Sequence, residues 1–286
     1  MQTLVDVAIP AITFLLLAAV GLDLRPEDFA RVRRQRTVVL AGLVGPLLLL
    51  PPIAFGLISV FRPPPAVEAG LLLIAVCPIG GVSNTYSYLA RASTALSVTL
   101  TAISCLLAAV TIPALASLFE AVLGRPLGFT APAGLLLGQL VLMLALPVGL
   151  GMFVRRRWPR VADDHRAGLQ RLATGLLAAL IAIVVYDQFD TFLRELRTTV
   201  LLAASFVVVS FAIGWTVGLA LQTDARDRFT LATEFATRNV AIATAIAVTL
   251  VGQIEFAVFA TIYFLTELPL MLGAVTIFRF YRAPIA

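Results

Sequence analysis

The sequence predicts an all-α polytopic membrane protein. Three observations carry that reading: the composition, the spacing of the apolar runs, and the places where arginine falls. Of 286 residues, 60% are hydrophobic and 13% charged, and the mean hydropathy is +1.00. A water-soluble domain of this size exposes too much surface to be built so largely of apolar side chains. The formal net charge of +5 rests on 21 basic residues, all arginine, and nearly all lie between apolar runs. Placed there, they report topology rather than a basic face on a soluble fold, so no nucleic-acid partner is expected.

Nine runs are long enough, or nearly so, to cross a bilayer: 4–22, 37–61, 67–90, 94–118, 131–154, 169–187, 198–221, 228–251 and 255–279. The first has no Lys or Arg before it and five arginines after it, the reverse of a secretory signal, and reads as a retained span. The second ends at Arg62-Pro63-Pro64-Pro65, and the fourth ends before Gly124-Arg125-Pro126, both strong breakers. The loop before the sixth holds His165, the single histidine, which reads as a solvated side chain. Cys77 and Cys105 fall inside apolar runs and imply no disulfide framework.

Two spans look interrupted. The third carries Cys77-Pro78-Ile79-Gly80-Gly81-Val82-Ser83-Asn84 near its middle. Proline removes a helix donor, glycines loosen the backbone, and Ser or Asn can cap a new helix start. The bland alternative is a kinked packing helix. The eighth carries Glu234-Phe235-Ala236-Thr237-Arg238-Asn239. A carboxylate and a guanidinium within lipid cost roughly 2.5–3.5 kcal/mol each on an insertion scale; the structural alternative is an i,i+4 ion pair along one helix face. The chain's only two asparagines, Asn84 and Asn239, sit one in each of these spans. If each helix breaks just before its asparagine, two helix N-termini converge at the midplane, a place suited to an anion. Asn84, Asn239, Arg238, Thr237 and Val82 are therefore the candidate substrate contacts.

Alternation of sides puts 16 arginines on one face and four on the other, with Arg238 inside a span. The positive-inside rule then predicts a multi-pass protein of the plasma (inner) membrane with its N-terminus outside and its C-terminus cytoplasmic. A weak internal repeat supports an inverted arrangement: Thr37–Ala41 resembles Thr199–Ala203, and Phe55-Gly56-Leu57 meets Val217-Gly218-Leu219 at the same offset of 162. Thr111-Ile112-Pro113 resembles Glu267-Leu268-Pro269 five spans later, and an odd separation reverses direction. Inverted repeats belong to secondary carriers that rock about a central site.

Pro-x-Gly-Gly-x-Ser-Asn at 78–84, followed by Tyr88-Leu89-Ala90-Arg91 and Ala95-Leu96-Ser97-Val98, resembles the first crossover of the bile acid:sodium symporter family, and Glu234 through Asn239 resembles the second. The chain looks like a nine-span member lacking the first helix of the ten-span bacterial form. The resemblance implies one transmembrane unit in two subdomains, a moving panel (1–30 and 131–190) and a core (31–130 and 191–286). It implies sodium-coupled symport of a small organic anion by a monomer in the bilayer, with sodium ligands at Ser83, Asn84, Ser97, Thr101 and Glu234, all oxygen-bearing. Ser97 and Thr101 are four apart and share a helix face. The second sodium site departs from the family pattern. Arg238 stands where a glutamine is usual, no glutamine lies near Gly45-Pro46, and Ala236 replaces the crossover glycine. Arg238 then either substitutes for that sodium or clamps a substrate carboxylate.

Two rival readings stay open at this point. A proton-coupled or arsenite-type permease of the same superfamily would use Glu234 or Glu267 as proton carrier and Cys77 as soft ligand. An intramembrane hydrolase would need an activated nucleophile with a base, and the spans contain no histidine and no Gly-x-Ser-x-Gly. An enzyme is not expected.

Overall fold

The computed structural model describes residues 35–124, 142, 146–187 and 189–282, with 11, 12, 14, 15, 17–19, 21 and 22. About half of the predicted first span and most of the predicted fifth lie outside the described residues. Elsewhere the elements are helical: α1 (Arg36–Phe61), α2 (Pro65–Val76), α3 (Val82–Leu89), α4 (Thr94–Leu123), α5 (Leu146–Arg157), α6 (Pro159–Asp187), α7 (Phe189–Ala220), α8 (Ala225–Ala236), α9 (Val240–Ala245) and α10 (Glu255–Arg282). A π-helical turn, Ile246–Leu250, continues α9.

Among the described residues four helical stretches are long and apolar enough to cross a membrane: Arg36–Phe61, Thr94–Ala121, Leu196–Ala220 and Glu255–Tyr281. They belong to α1, α4, α7 and α10. Leu48, Val110, Leu201 and Ile277 project outward from these four helices, each more than half exposed. Lipid is the solvent that accepts such side chains at low cost. Helices α6 and α7 begin about ten and nine residues before the predicted spans, because hydropathy reads only the hydrocarbon thickness and a helix runs on into the interface.

Local chemistry sets the ends that matter. Helix α2 starts with Pro65 at its first position, where a missing N–H is harmless, and stops at Cys77 because Pro78 pushes the preceding residue into extended geometry (φ −61°, ψ 150°). Helix α8 starts at Asp224, whose carboxylate accepts from the Arg226 and Asp227 amides at 2.8 Å. The order long helix, short helix, break, short helix, long helix occurs twice, in α1–α4 and again in α7–α10.

The two breaks pair with each other. Ile79 and Arg238 form an antiparallel bridge. The Gly80 amide donates to the Thr237 carbonyl at 3.1 Å, and the Asn239 amide donates to the Pro78 carbonyl at 2.9 Å. Gly80 has no room for a side chain: an added Cβ would lie 2.6 Å from the Arg238 carbonyl oxygen. Gly80→Ala must therefore pry the two breaks apart, and a loss of roughly 1–3 kcal/mol is expected, as for other overpacked sites. Thermal unfolding in detergent measures it; an unchanged midpoint would mean the crossover is looser than described.

Candidate functional site

Several backbone groups freed by the two breaks find partners, as the membrane interior requires. The Ile79 amide donates to Ser104 Oγ at 3.1 Å. The Ile79 carbonyl accepts from the Cys105 thiol at 3.8 Å. The Ala236 carbonyl accepts from the Tyr263 hydroxyl. The Asn239 side chain caps the new helix, its Oδ1 accepting from the Ile242 amide at 3.1 Å. The crossover is thus held by α4 and α10 as well as by its own bridge.

Beside it lies a closed cluster of oxygens. Ser83 Oγ donates to Glu234 Oε2 at 3.1 Å and lies 3.4 Å from Ser97 Oγ and 3.2 Å from Thr101 Oγ1. Ser97 Oγ reaches Asn84 Oδ1 at 2.8 Å and also meets Glu234 Oε1. Thr101 Oγ1 lies 3.4 Å from both Asn84 Oδ1 and Glu234 Oε2. Ser83, Ser97, Thr101 and Glu234 are fully buried, and Asn84 is half-buried. The five residues named for an ion from the sequence are therefore in mutual contact, drawn from α3, α4 and α8.

The cluster has more lone pairs than protons. Three hydroxyl protons serve six oxygen atoms, two of them carboxylate oxygens. Hydrogen bonds to a charged group contribute about 1.5–3 kcal/mol each, and a buried carboxylate loses several kcal/mol of hydration. The two sums are of similar size, so the hydroxyls alone hold the ionised carboxylate only marginally. A small hard cation, which takes neutral and anionic oxygens at about 2.3–2.6 Å, fits this donor set. Among the described residues no group of three or more His, Cys, Asp and Glu side chains is placed to hold a metal. A single carboxylate among neutral oxygens matches a single positive charge.

Arg238 is buried beside the cluster but does not pair with it. Its guanidinium donates to the Glu234 carbonyl at 3.4 Å and to the Cys77 carbonyl. Those oxygens belong to the C-terminal ends of α8 and α2, the partly negative poles of both first half-helices. The i,i+4 ion pair on one helix face, weighed from the sequence, is not what forms. Helix α8 ends at Ala236, so the backbone turns between the two side chains and carries the guanidinium away from the carboxylate.

The predicted pair of capping amides is corrected in one half. Asn239 is a cap; Asn84 is not, because α3 begins at Val82 and places Asn84 in its first turn, with its amide oxygen turned to Ser97 and Thr101. Of the other substrate candidates, Val82 is half-buried, while Thr237 is fully buried and donates to Glu267 Oε1 at 2.9 Å. Arg238 and Asn239 are also buried in this conformation, at 3% and 8% exposure.

Comparisons with known proteins point to a family. The sodium bile acid symporter family matches residues 10–195, well over half of the chain and including the first crossover. The chain belongs to the sodium bile acid symporter family. Its relatives include an uncharacterized sodium-dependent transporter of Bacillus subtilis (strain 168), 28% identical over 237 residues, 82% of this chain and 71% of that protein. They also include a probable sodium/metabolite cotransporter, chloroplastic, of Arabidopsis thaliana, 26% identical over 78% of this chain and 54% of its own. Sodium/bile acid cotransporter 4 of Homo sapiens is 31% identical over 76% of this chain and 50% of its own. The chain thus spans about half the length of the plant and human relatives.

In this member of the sodium bile acid symporter family, the second crossover lies beyond the family's matched region. Two residues that hold the crossovers escaped the sequence reading, and both had a visible signal. Ser104 completes a polar stripe with Ser97 and Thr101 at i, i+4 and i+7 on α4. Tyr263 stands four residues before Glu267 on α10, so the two lie on the same face of that helix.

Proposed function

We propose that this protein is a secondary carrier that couples the movement of a small organic anion to one sodium ion. The observation that carries the reading is the buried, proton-poor oxygen cluster of Ser83, Asn84, Ser97, Thr101 and Glu234 beside two paired helix breaks. In this reading sodium binds that cluster, and its charge completes the neutralisation of Glu234.

Asn84 links ion to substrate. Its amide oxygen faces the hydroxyls, so the planar group aims its NH2 the opposite way, where an anion accepts from it. Sodium fixes the amide, and the fixed amide raises affinity for the anion; the reverse follows by linkage. Val82 and, once the crossover is exposed, Thr237, Arg238 and Asn239 complete the substrate side. Arg238 takes the place of a second sodium, its permanent charge lying on the carbonyls of both half-helix ends.

The repeated order of elements and the antiparallel bridge support an inverted repeat, with 31–130 and 191–286 as core and 1–30 and 131–190 as panel. In this reading the chain has nine spans, the arginine bias of its loops puts the C-terminus in the cytoplasm, and the protein works as a monomer in the plasma membrane. The test is uptake of labelled organic anions into proteoliposomes under a sodium gradient. Uptake should fall at least tenfold when choline replaces sodium, and uptake indifferent to that exchange contradicts the proposal.

A further inference from the structure

A second buried carboxyl lies on the other side of the crossover. Glu267, on α10, is fully buried, and Thr237 Oγ1 donates to its Oε1 at 2.9 Å. Its Oε2 has no hydrogen-bond partner. Among the described residues the hydroxyl of Tyr86, a fully buried side chain of α3 near the same carboxyl, also has no partner within hydrogen-bond distance. Leaving both buried atoms unpaired costs free energy, which a proton on the carboxyl, donated in a hydrogen bond to the phenol oxygen, would recover.

Among the described residues the surroundings offer no counter-charge. From the end of α8 come Thr237 and, beyond it, Arg238, whose guanidinium is taken up by the Glu234 and Cys77 carbonyls. From α10 itself comes Tyr263, whose hydroxyl donates to the Ala236 carbonyl. From α3 comes Tyr86. Helix α2 from Ala69 to Val76, α6 from Leu172 to Val185, α7 from Thr198 to Ala220, and α9 with its π turn carry no charged side chain.

We propose that Glu267, with Tyr86 and Thr237, is a proton-binding site separate from the Glu234 cluster. The donor sets distinguish the two. Around Glu234, three hydroxyls and an amide oxygen join the carboxylate, enough oxygens to shell a cation. Around Glu267 stand one threonine hydroxyl and one phenol, too few for a cation and sufficient for a carboxylic acid. The proton sits on Oε2, the unpartnered oxygen, and the Tyr86 hydroxyl can accept a hydrogen bond from it or donate one to the carboxylate left behind. This adds a proton to the species the proposed carrier handles, but its test uses no transport.

The experiment is infrared difference spectroscopy of the full chain in lipid, without substrate, from neutral to strongly alkaline pH. A protonated-carboxyl band should be present at neutral pH, shift in D2O and disappear as pH rises. It should be absent in Glu267→Gln and retained in Glu234→Gln. Tyr86→Phe removes the one spare donor to the carboxylate, so the band should persist to higher pH, a shift that also decides the matter if Glu267→Gln fails to fold. A band that Glu267→Gln leaves intact, or that neither exchanges nor titrates, or no band at all, overturns the assignment.

Discussion

Glu234→Ala is expected to abolish sodium binding. The carboxylate is the only charge in the oxygen cluster, and truncating one member of a buried charged arrangement typically costs about 3–5 kcal/mol. At about 1.4 kcal/mol per decade, that is a fall of between two and four decades in sodium affinity. The reading is the rise in unfolding temperature with sodium, choline serving as control. Glu234→Gln keeps the volume and an acceptor oxygen but not the charge, so it should fold and still lose the response. Retention of a full sodium response in Glu234→Gln would mean that the ion binds elsewhere. Ser97→Ala removes one neutral ligand only and should weaken sodium by roughly one to two decades, in keeping with about 1.5–3 kcal/mol for a hydrogen bond to a charged group.

Removal of the Arg238 guanidinium should do the most damage to stability. Arg238→Ala leaves the Cys77 and Glu234 carbonyls without the side-chain donors they now have, and empties the space between two helix ends. Unsatisfied buried groups cost about 1–3 kcal/mol each, so a total of roughly 2–5 kcal/mol is expected. Arg238→Gln restores a donor without the charge, and should recover much of the stability. It should not create a strong second sodium site, because Gly45 and Pro46 on α1 supply no side-chain oxygen and an added Cβ at Gly45 would already meet the Phe235 ring at 2.5 Å. Sodium titration of Arg238→Gln should therefore remain non-cooperative. A Hill coefficient rising towards two in that variant would show that the guanidinium had merely blocked a site the protein still retains.

Much of this architecture was legible in the sequence because membrane helices obey few and strict rules. The break at Cys77–Gly81 announces itself through proline and paired glycines; Ser83, Ser97 and Thr101 are implied by the family resemblance, and spacing adds only that Ser97 and Thr101 share a helix face. The second break is different. Ala236-Thr237-Arg238-Asn239 contains no proline or glycine, and what holds it open is a bridge to residues about 160 positions earlier. No local window contains that partner. The same cause explains the misread relation of Glu234 to Arg238. They are four apart, but the turn between them, imposed by the distant strand, sends the carboxylate to α4 and the guanidinium to the helix ends. The π turn at Ile246–Leu250 also has no local signature in a run of small and β-branched residues. Glu267 was visible as a charge in an apolar span, yet its partners Thr237 and Tyr86 come from two other helices and could not be named from spacing.

The most direct test of the central claim is a sodium titration of the wild-type protein in detergent, read by its unfolding temperature at constant ionic strength with choline as the balancing cation. The account predicts saturable stabilisation by sodium with a Hill coefficient near one, absent in Glu234→Gln. Equal stability in sodium and choline, or cooperative binding with a coefficient near two, would contradict it.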